Sequence, residues 1–228
     1  MEDKKALVEY LLGFVTERKN ELFAEKIAQR TKHLTVVVEN LYQDHNFSAV
    51  MRSCDCFGLQ DMHVVENSNA FRVNADIALG ASQWVNVNRY RNNENNTVEC
   101  IKQLKAQGYT IVATTPHRND VNLEEYDITK PTALIFGTEK EGLTEEALDM
   151  ADVYLKVPMV GFTESLNISV CAAICIHHLT WKMREQNIDW PLSETDKWDI
   201  LYKWVRAALK DPDGIESVWR EKMEQGLL

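Results

Sequence analysis

The chain has 228 residues, 45% of them hydrophobic, which suits one globular domain with an ordinary core or one domain with short extensions. No apolar run approaches the ~20 residues of a membrane span. The opening residues, Met1 to Lys5, lack the basic, apolar and small-residue succession of a signal peptide, so a cytoplasmic location without a membrane partner is expected. The net charge of −10 by itself argues against a nucleic-acid partner, because phosphate binding needs Lys and Arg, although an acidic protein can still carry a local basic cleft.

In chain order, residues 5–31 place Leu7, Leu11, Phe14, Leu22 and Ile27 at helical intervals among charges, which predicts one helix. The β-branched run 34–39 predicts a buried strand. Asn46 is a good N-cap for a helix running to Phe57, with Gly58 closing it. Strands are predicted at 62–65, 85–90, 109–113, 132–136 and 153–157. Helices are predicted at 75–82, 97–107, 144–151 and 167–186, with two more near 194–210 and 215–225 beyond the break at Pro191. Strands alternating with helices read as α/β with a parallel sheet. The organisation expected is a helical extension at 1–32, a central domain at 33–188 and a second helical extension at 189–228.

The five cysteines, Cys54, Cys56, Cys100, Cys171 and Cys175, have no zinc spacing and read as reduced, mostly packing thiols. No His/Cys/Asp/Glu cluster has ligand spacing, and His177 and His178, adjacent on a helix, point about 100° apart, so no metal is expected.

Ligands of open α/β sheets sit beyond the carboxyl ends of strands, and three such ends are chemically unusual. The first runs from Glu39 to Arg52. Asn46 is explained by capping alone, whereas Arg52, among Val50, Met51, Cys54 and Cys56, is either a surface side chain with an apolar stem or a functional cation. The second, Gly137-x-Glu139-x-x-Gly142, is a tight loop after a buried strand, in which glycines permit positive φ and close ligand approach. Many α/β proteins have such a turn. The third runs from Val157 to Ser169, where Ser165 or Asn167 caps a very apolar helix and the flanking apolar residues suit the walls of a site for a flat ligand such as adenine.

Taken in order, Leu34–Cys56, Thr132–Leu148 and Val157–Ala173 resemble the three motifs of the TrmH branch of the SPOUT methyltransferases, the tRNA guanosine-2′-O-methyltransferases. The resemblance runs from about Thr31 to Arg184. It implies an α/β sheet whose C-terminal part threads a trefoil knot, a homodimer, and S-adenosylmethionine bound in the knot. It makes Arg52 the catalytic arginine and Asn46 its companion, with Glu139, Ser165 and Asn167 completing the active site. Thr114, Gly137, Val157, Met159 and Leu166 fall where the family contacts the cofactor, largely through backbone atoms. The activity implied is 2′-O-methylation of a guanosine in the D-loop of tRNA. The rival readings are the same chemistry on ribosomal RNA or another tRNA position, and a non-catalytic RNA-binding member of the fold. DNA is not an expected partner.

The acidic charge then requires a local basic tract for RNA, with candidates Arg18, Lys19, Arg30, Lys32, Arg52, Arg72, Arg89, Arg91 and Arg118. Trp190, Trp198, Trp204 and Trp219 are read mainly as packing residues.

Overall fold

The first strand, β1 (Leu34–Glu39), is buried at all six positions, as a β-branched run covered on both faces must be. In the computed structural model, which describes residues 2–116, 121–186 and 188–227, it lies near the middle of a parallel sheet. The other strands are β2 (Asp61–Val65), β3 (Asn86–Tyr90), β4 (Thr110–Thr114), β5 (Val121–Asn122), β6 (Thr132–Phe136) and β7 (Val153–Lys156). Their order is β3-β2-β1-β6-β4-β7-β5, and every pairing among them is parallel. After β4 the chain therefore returns to insert β6 between β1 and β4, then crosses out again to β7.

Alternation along the strands divides the core. Val36, Val38, Met62, Val64, Leu134 and Phe136 face α3 (Asp44–Phe57) and α7 (Ile168–Glu185). Val37, Val65, Ala113 and Ile135 face α5 (Asn96–Ala106) and α6 (Glu145–Met150). A short helix, α4 (Ala75–Ala78), and a 3-10 turn at Ala81–Gln83 link β2 to β3. No helix of the described residues is long and apolar enough to cross a membrane.

The chain forms two compact units, Thr31–Trp190, which holds the sheet, and a second one that joins Met1–Arg30 with Pro191–Leu228. The second consists of α1 (Glu2–Leu12), α2 (Glu17–Ile27), α8 (Glu194–Ala208) and α9 (Pro212–Glu224). The single helix expected over 5–31 is two. Its pattern continues through Gly13, but Asn20 turns its amide back to the Leu12 carbonyl at 3.1 Å, and Thr16 is extended, so α2 starts afresh. Trp204, 2% exposed, packs in this unit against Phe23, with the Arg30 guanidinium over its ring, 5.2 Å from the centroid. Glu216, also buried, is bound by Arg206 and Tyr202.

A helix start and one short strand differ from the sequence reading. Helix α3 begins at Asp44 with Gln43 as its cap residue, so Asn46 lies inside the first turn and does not cap. Strand β5 is only two residues long, too short to leave a pattern.

On the α5 side, His63 is buried, and its Nδ1 lies 3.1 Å from the Tyr90 hydroxyl. Burial lowers its pKa to about 4 from an ordinary 6.5, against a smaller opposing effect of Asp61. Above pH 6.5 both folded and unfolded states hold His63 neutral. Below it only the unfolded state takes the proton, so stability should fall as pH drops from 6.5 towards 4, by about 3 kcal/mol in all. Urea midpoints across that range should drop for the natural chain and drop less for His63→Gln. Equal pH dependence in both proteins would rule His63 out as the source.

Candidate active site

A cavity opens at the carboxyl ends of β4, β6 and β7, where the strand order folds back on itself. Its wall includes Thr114, Phe136, Gly137, Glu139, Leu143, Leu155, Val157, Met159, Ser165, Leu166 and Ile168. All five residues expected to meet a cofactor, Thr114, Gly137, Val157, Met159 and Leu166, are on this wall.

Gly137 follows β6 directly. Residues 138–142 close a tight loop in which Thr138 N donates to the Gly142 carbonyl at 2.9 Å and Gly142 N donates back to the Thr138 carbonyl at 3.0 Å. A Cβ at position 137 would overlap the Gly142 carbonyl, and Gly142 itself has φ +72°, so the loop needs both glycines for different reasons. The far end of the loop is pinned by Glu39. Its carboxylate, 1% exposed, accepts from Thr97 Oγ1 at 2.5 Å, from Thr144 Oγ1 at 2.8 Å and from Thr144 N at 3.0 Å. Three donors offset the desolvation of a carboxylate that has no ion pair among the described residues.

At the mouth of the cavity three predicted residues meet. Asn46 Nδ2 donates to Glu139 Oε1 at 3.0 Å and to Gln43 Oε1 at 3.2 Å. Asn167 Nδ2 donates to the same Glu139 oxygen at 2.6 Å and to Asn46 Oδ1 at 3.1 Å. The Asn167 Oδ1 accepts from Ser169 N at 2.9 Å, which makes Asn167 the cap of α7. Both amides have their donors committed, so Glu139 Oε1 is held as an acceptor. Its other oxygen has no hydrogen-bond partner among the described residues.

Arg52 stands apart. It is exposed on α3, is not part of the cavity wall, and makes no hydrogen bond or ion pair among the described residues. Val50, Met51 and Cys54 turn inward, Cys56 is exposed like Arg52, and the guanidinium is left in water, so the desolvation cost inferred from those neighbours does not arise. Ser165 is also exposed but lies on the cavity wall.

The expected basic tract is thinner than the sequence suggests. Arg89 is bound by Glu66 at 2.6 Å and by the Phe71 carbonyl at 2.8 Å; Arg30 is 5% exposed; Lys32 lies 3.9 Å from Asp61. Arg118 lies outside the described residues. Arg52, Arg72 and Arg91 remain exposed in the sheet unit, and Arg18 and Lys19 line a hollow of the helical unit with Phe14 and Leu22. Sequence reasoning missed Glu39, Gln43 and the cavity-lining pair Cys171 and Cys175. Glu39 gave one signal, a charge ending an otherwise apolar strand. Among the described residues no group of three or more His, Cys, Asp or Glu is placed to hold a metal.

Residues 33–177 match the SpoU rRNA Methylase family. The chain is 40% identical over 208 residues to a tRNA (guanosine(18)-2′-O)-methyltransferase of Borreliella burgdorferi, covering 91% of this chain and 94% of that one. It is 37% identical to the enzyme of that name from Thermus thermophilus, over 84% of this chain and 97% of that one. Among solved structures it resembles the A. aeolicus TrmH/SpoU tRNA modifying enzyme, with a TM-score of 0.75 and 32% identity over 85% of this chain and 98% of the other.

Proposed function

The chain belongs to the SpoU rRNA methylase family, and we propose that it transfers a methyl group from S-adenosylmethionine to the ribose 2′-hydroxyl of a guanosine in the D-loop of tRNA. The observation that carries this reading is the Asn46–Glu139–Asn167 cluster at the mouth of a cavity whose wall holds every expected cofactor residue. The apolar stretch Phe136, Leu143, Leu155 and Ile168 suits an adenine, and Glu139 places an anion where a sulfonium would be welcome. The family match over 33–177 supports 33–188 as the methyltransferase domain. The insertion of β6 between β1 and β4, followed by the outward crossing to β7 and α7, supports a C-terminal trefoil knot around the cavity.

When bound, the cofactor supplies an electrophilic methyl whose leaving group is a neutral thioether. The remaining work is to align the ribose oxygen and relieve it of its proton. Arg52 cannot be the base, since a guanidinium has a pKa above about 12. Without a partner among the described residues, it grips the phosphate beside the target ribose and stabilises negative charge on the oxygen. Glu139 provides the proton acceptor through the carboxylate oxygen that Asn46 and Asn167 leave open. Ser165 lies on the same wall and orients the sugar.

The functional unit in this reading is a cytoplasmic homodimer. An exposed apolar stripe along α7, with Val170 47%, Ile174 38% and Trp181 62% exposed, supports it, and Val160 and Phe162 are bare in the preceding loop. Trp181→Glu should shift the sedimentation coefficient from dimer to monomer at micromolar concentration; a natural chain that sediments as a monomer would remove the dimer from this scheme.

Mass spectrometry of nucleosides from tRNA incubated with the protein and cofactor tests the reaction. The expected product is 2′-O-methylguanosine, confined to the D-loop fragment. Methylation of ribosomal RNA alone, or none with any RNA pool, would overturn the assignment.

A further inference from the structure

Two thiols lie on the cavity wall and take no part in the scheme above. Cys171 and Cys175 are four residues apart on α7, which puts them on one face of the helix, and both line the cavity. Cys175 is fully buried and Cys171 is partly accessible. We propose that this pair is a thiol-modification site, at which Cys171 takes a small disulfide as a reversible mixed disulfide and thereby excludes the cofactor. The proposal rests on the reading of this cavity as the cofactor site.

The two sulfurs differ in role because of their placement. The neighbouring Cys175 thiol, one helical turn on, holds the Cys171 pKa below its ordinary value against the opposing effect of burial, and the Cys171 sulfur pushes the Cys175 thiol far up. Cys171 also sits in the first turn of α7, at the positive end of the helix dipole, which favours negative charge. The remaining cysteines lack this arrangement. Cys54 and Cys100 are buried, Cys100 with its thiol pushed up to about 12, and Cys56 is exposed without a thiol donor beside it.

The chemistry balances without any further reactant. The Cys171 thiolate attacks one sulfur of the incoming disulfide, a new S–S bond forms and the old one breaks. The departing thiolate takes up the proton that Cys171 released. A free thiol reverses each step. The appended group projects from α7 among the wall residues that would otherwise meet the cofactor. In a reducing cytoplasm the cavity stays open, and under oxidising conditions it closes.

The test uses the full chain carrying Cys56→Ser, so that the exposed thiol does not compete, with cystamine as the disulfide. Peptide mapping should place the adduct on Cys171. Calorimetry should show cofactor binding lost on labelling and recovered after dithiothreitol, and bound cofactor should slow the labelling. Cys175→Val should slow labelling of Cys171 several-fold at neutral pH and move its pH profile upward. Cys175→Ser, which keeps a donor, should restore part of the rate. Cofactor binding by Cys171→Ser should not change on cystamine treatment, which keeps the test open if Cys175→Val does not fold. Absence of a Cys171 adduct, or an equal rate in Cys175→Val, would overturn the thiol pair while leaving the cavity as cofactor site. A Cys171 adduct with unchanged cofactor affinity would overturn the exclusion and count against the cavity itself.

Discussion

Arg52→Ala is expected to lower kcat by roughly a hundred- to a thousandfold, the loss seen when one preorganised donor to a developing oxyanion is removed. Stability and cofactor affinity should stay within error of the natural chain. Both parts follow from the same fact: Arg52 is exposed and bonded to nothing among the described residues, so no packed or paired group loses a contact. Arg52→Lys should recover little, because an ammonium presents one point charge where a guanidinium offers a planar fork to a phosphate. Single-turnover rates with saturating tRNA separate the chemical step from binding. Near-normal turnover in the alanine variant would leave Arg52 a surface cation. A melting temperature several degrees lower would show instead that it holds the fold.

Much of the sheet was legible because its central strands β1, β4 and β6 are β-branched or apolar runs and several of its helices are bounded by glycine or capping residues. Asn167 could be read as a cap from its place between a polar loop and an apolar helix, and it is one. The same reasoning misplaced Asn46. The rule recognises an oxygen that accepts from the backbone, whereas Asn46 uses its nitrogen to donate to Glu139, a residue 93 positions away. No local pattern records such a partner. Arg89 and Lys32 show the same limit for charge: each looks free in sequence, and each is claimed by an acid that the β2–β3 and β1–β2 pairings bring alongside. Cys171 and Cys175 were visible as a spacing but not as a site, since only the fold turns that face of α7 towards the cavity.

Glycine in the 137–142 loop was read as permitting close approach, and here the structure adds a graded expectation. Gly137→Ala forces a methyl group into the Gly142 carbonyl, and both colliding groups are fixed by the main chain, so no rotamer change relieves the overlap. Relief requires opening the loop, with loss of the two Thr138–Gly142 backbone bonds, at a cost of about 3 kcal/mol. Because Glu139 sits inside this loop, the same movement takes it from Asn46 and Asn167, so cofactor binding and turnover should be lost along with stability. Gly142→Ala meets open space and suffers only the strain of its positive φ, roughly 1–2 kcal/mol, so it should bind cofactor more weakly but still measurably. Gly161→Ala, with neither overlap nor positive φ, should be close to neutral. Thermal denaturation and cofactor calorimetry on the three variants should therefore rank them Gly137, Gly142, Gly161 in order of damage. If Gly137→Ala binds cofactor as the natural chain does, the loop is not the wall that shapes the site.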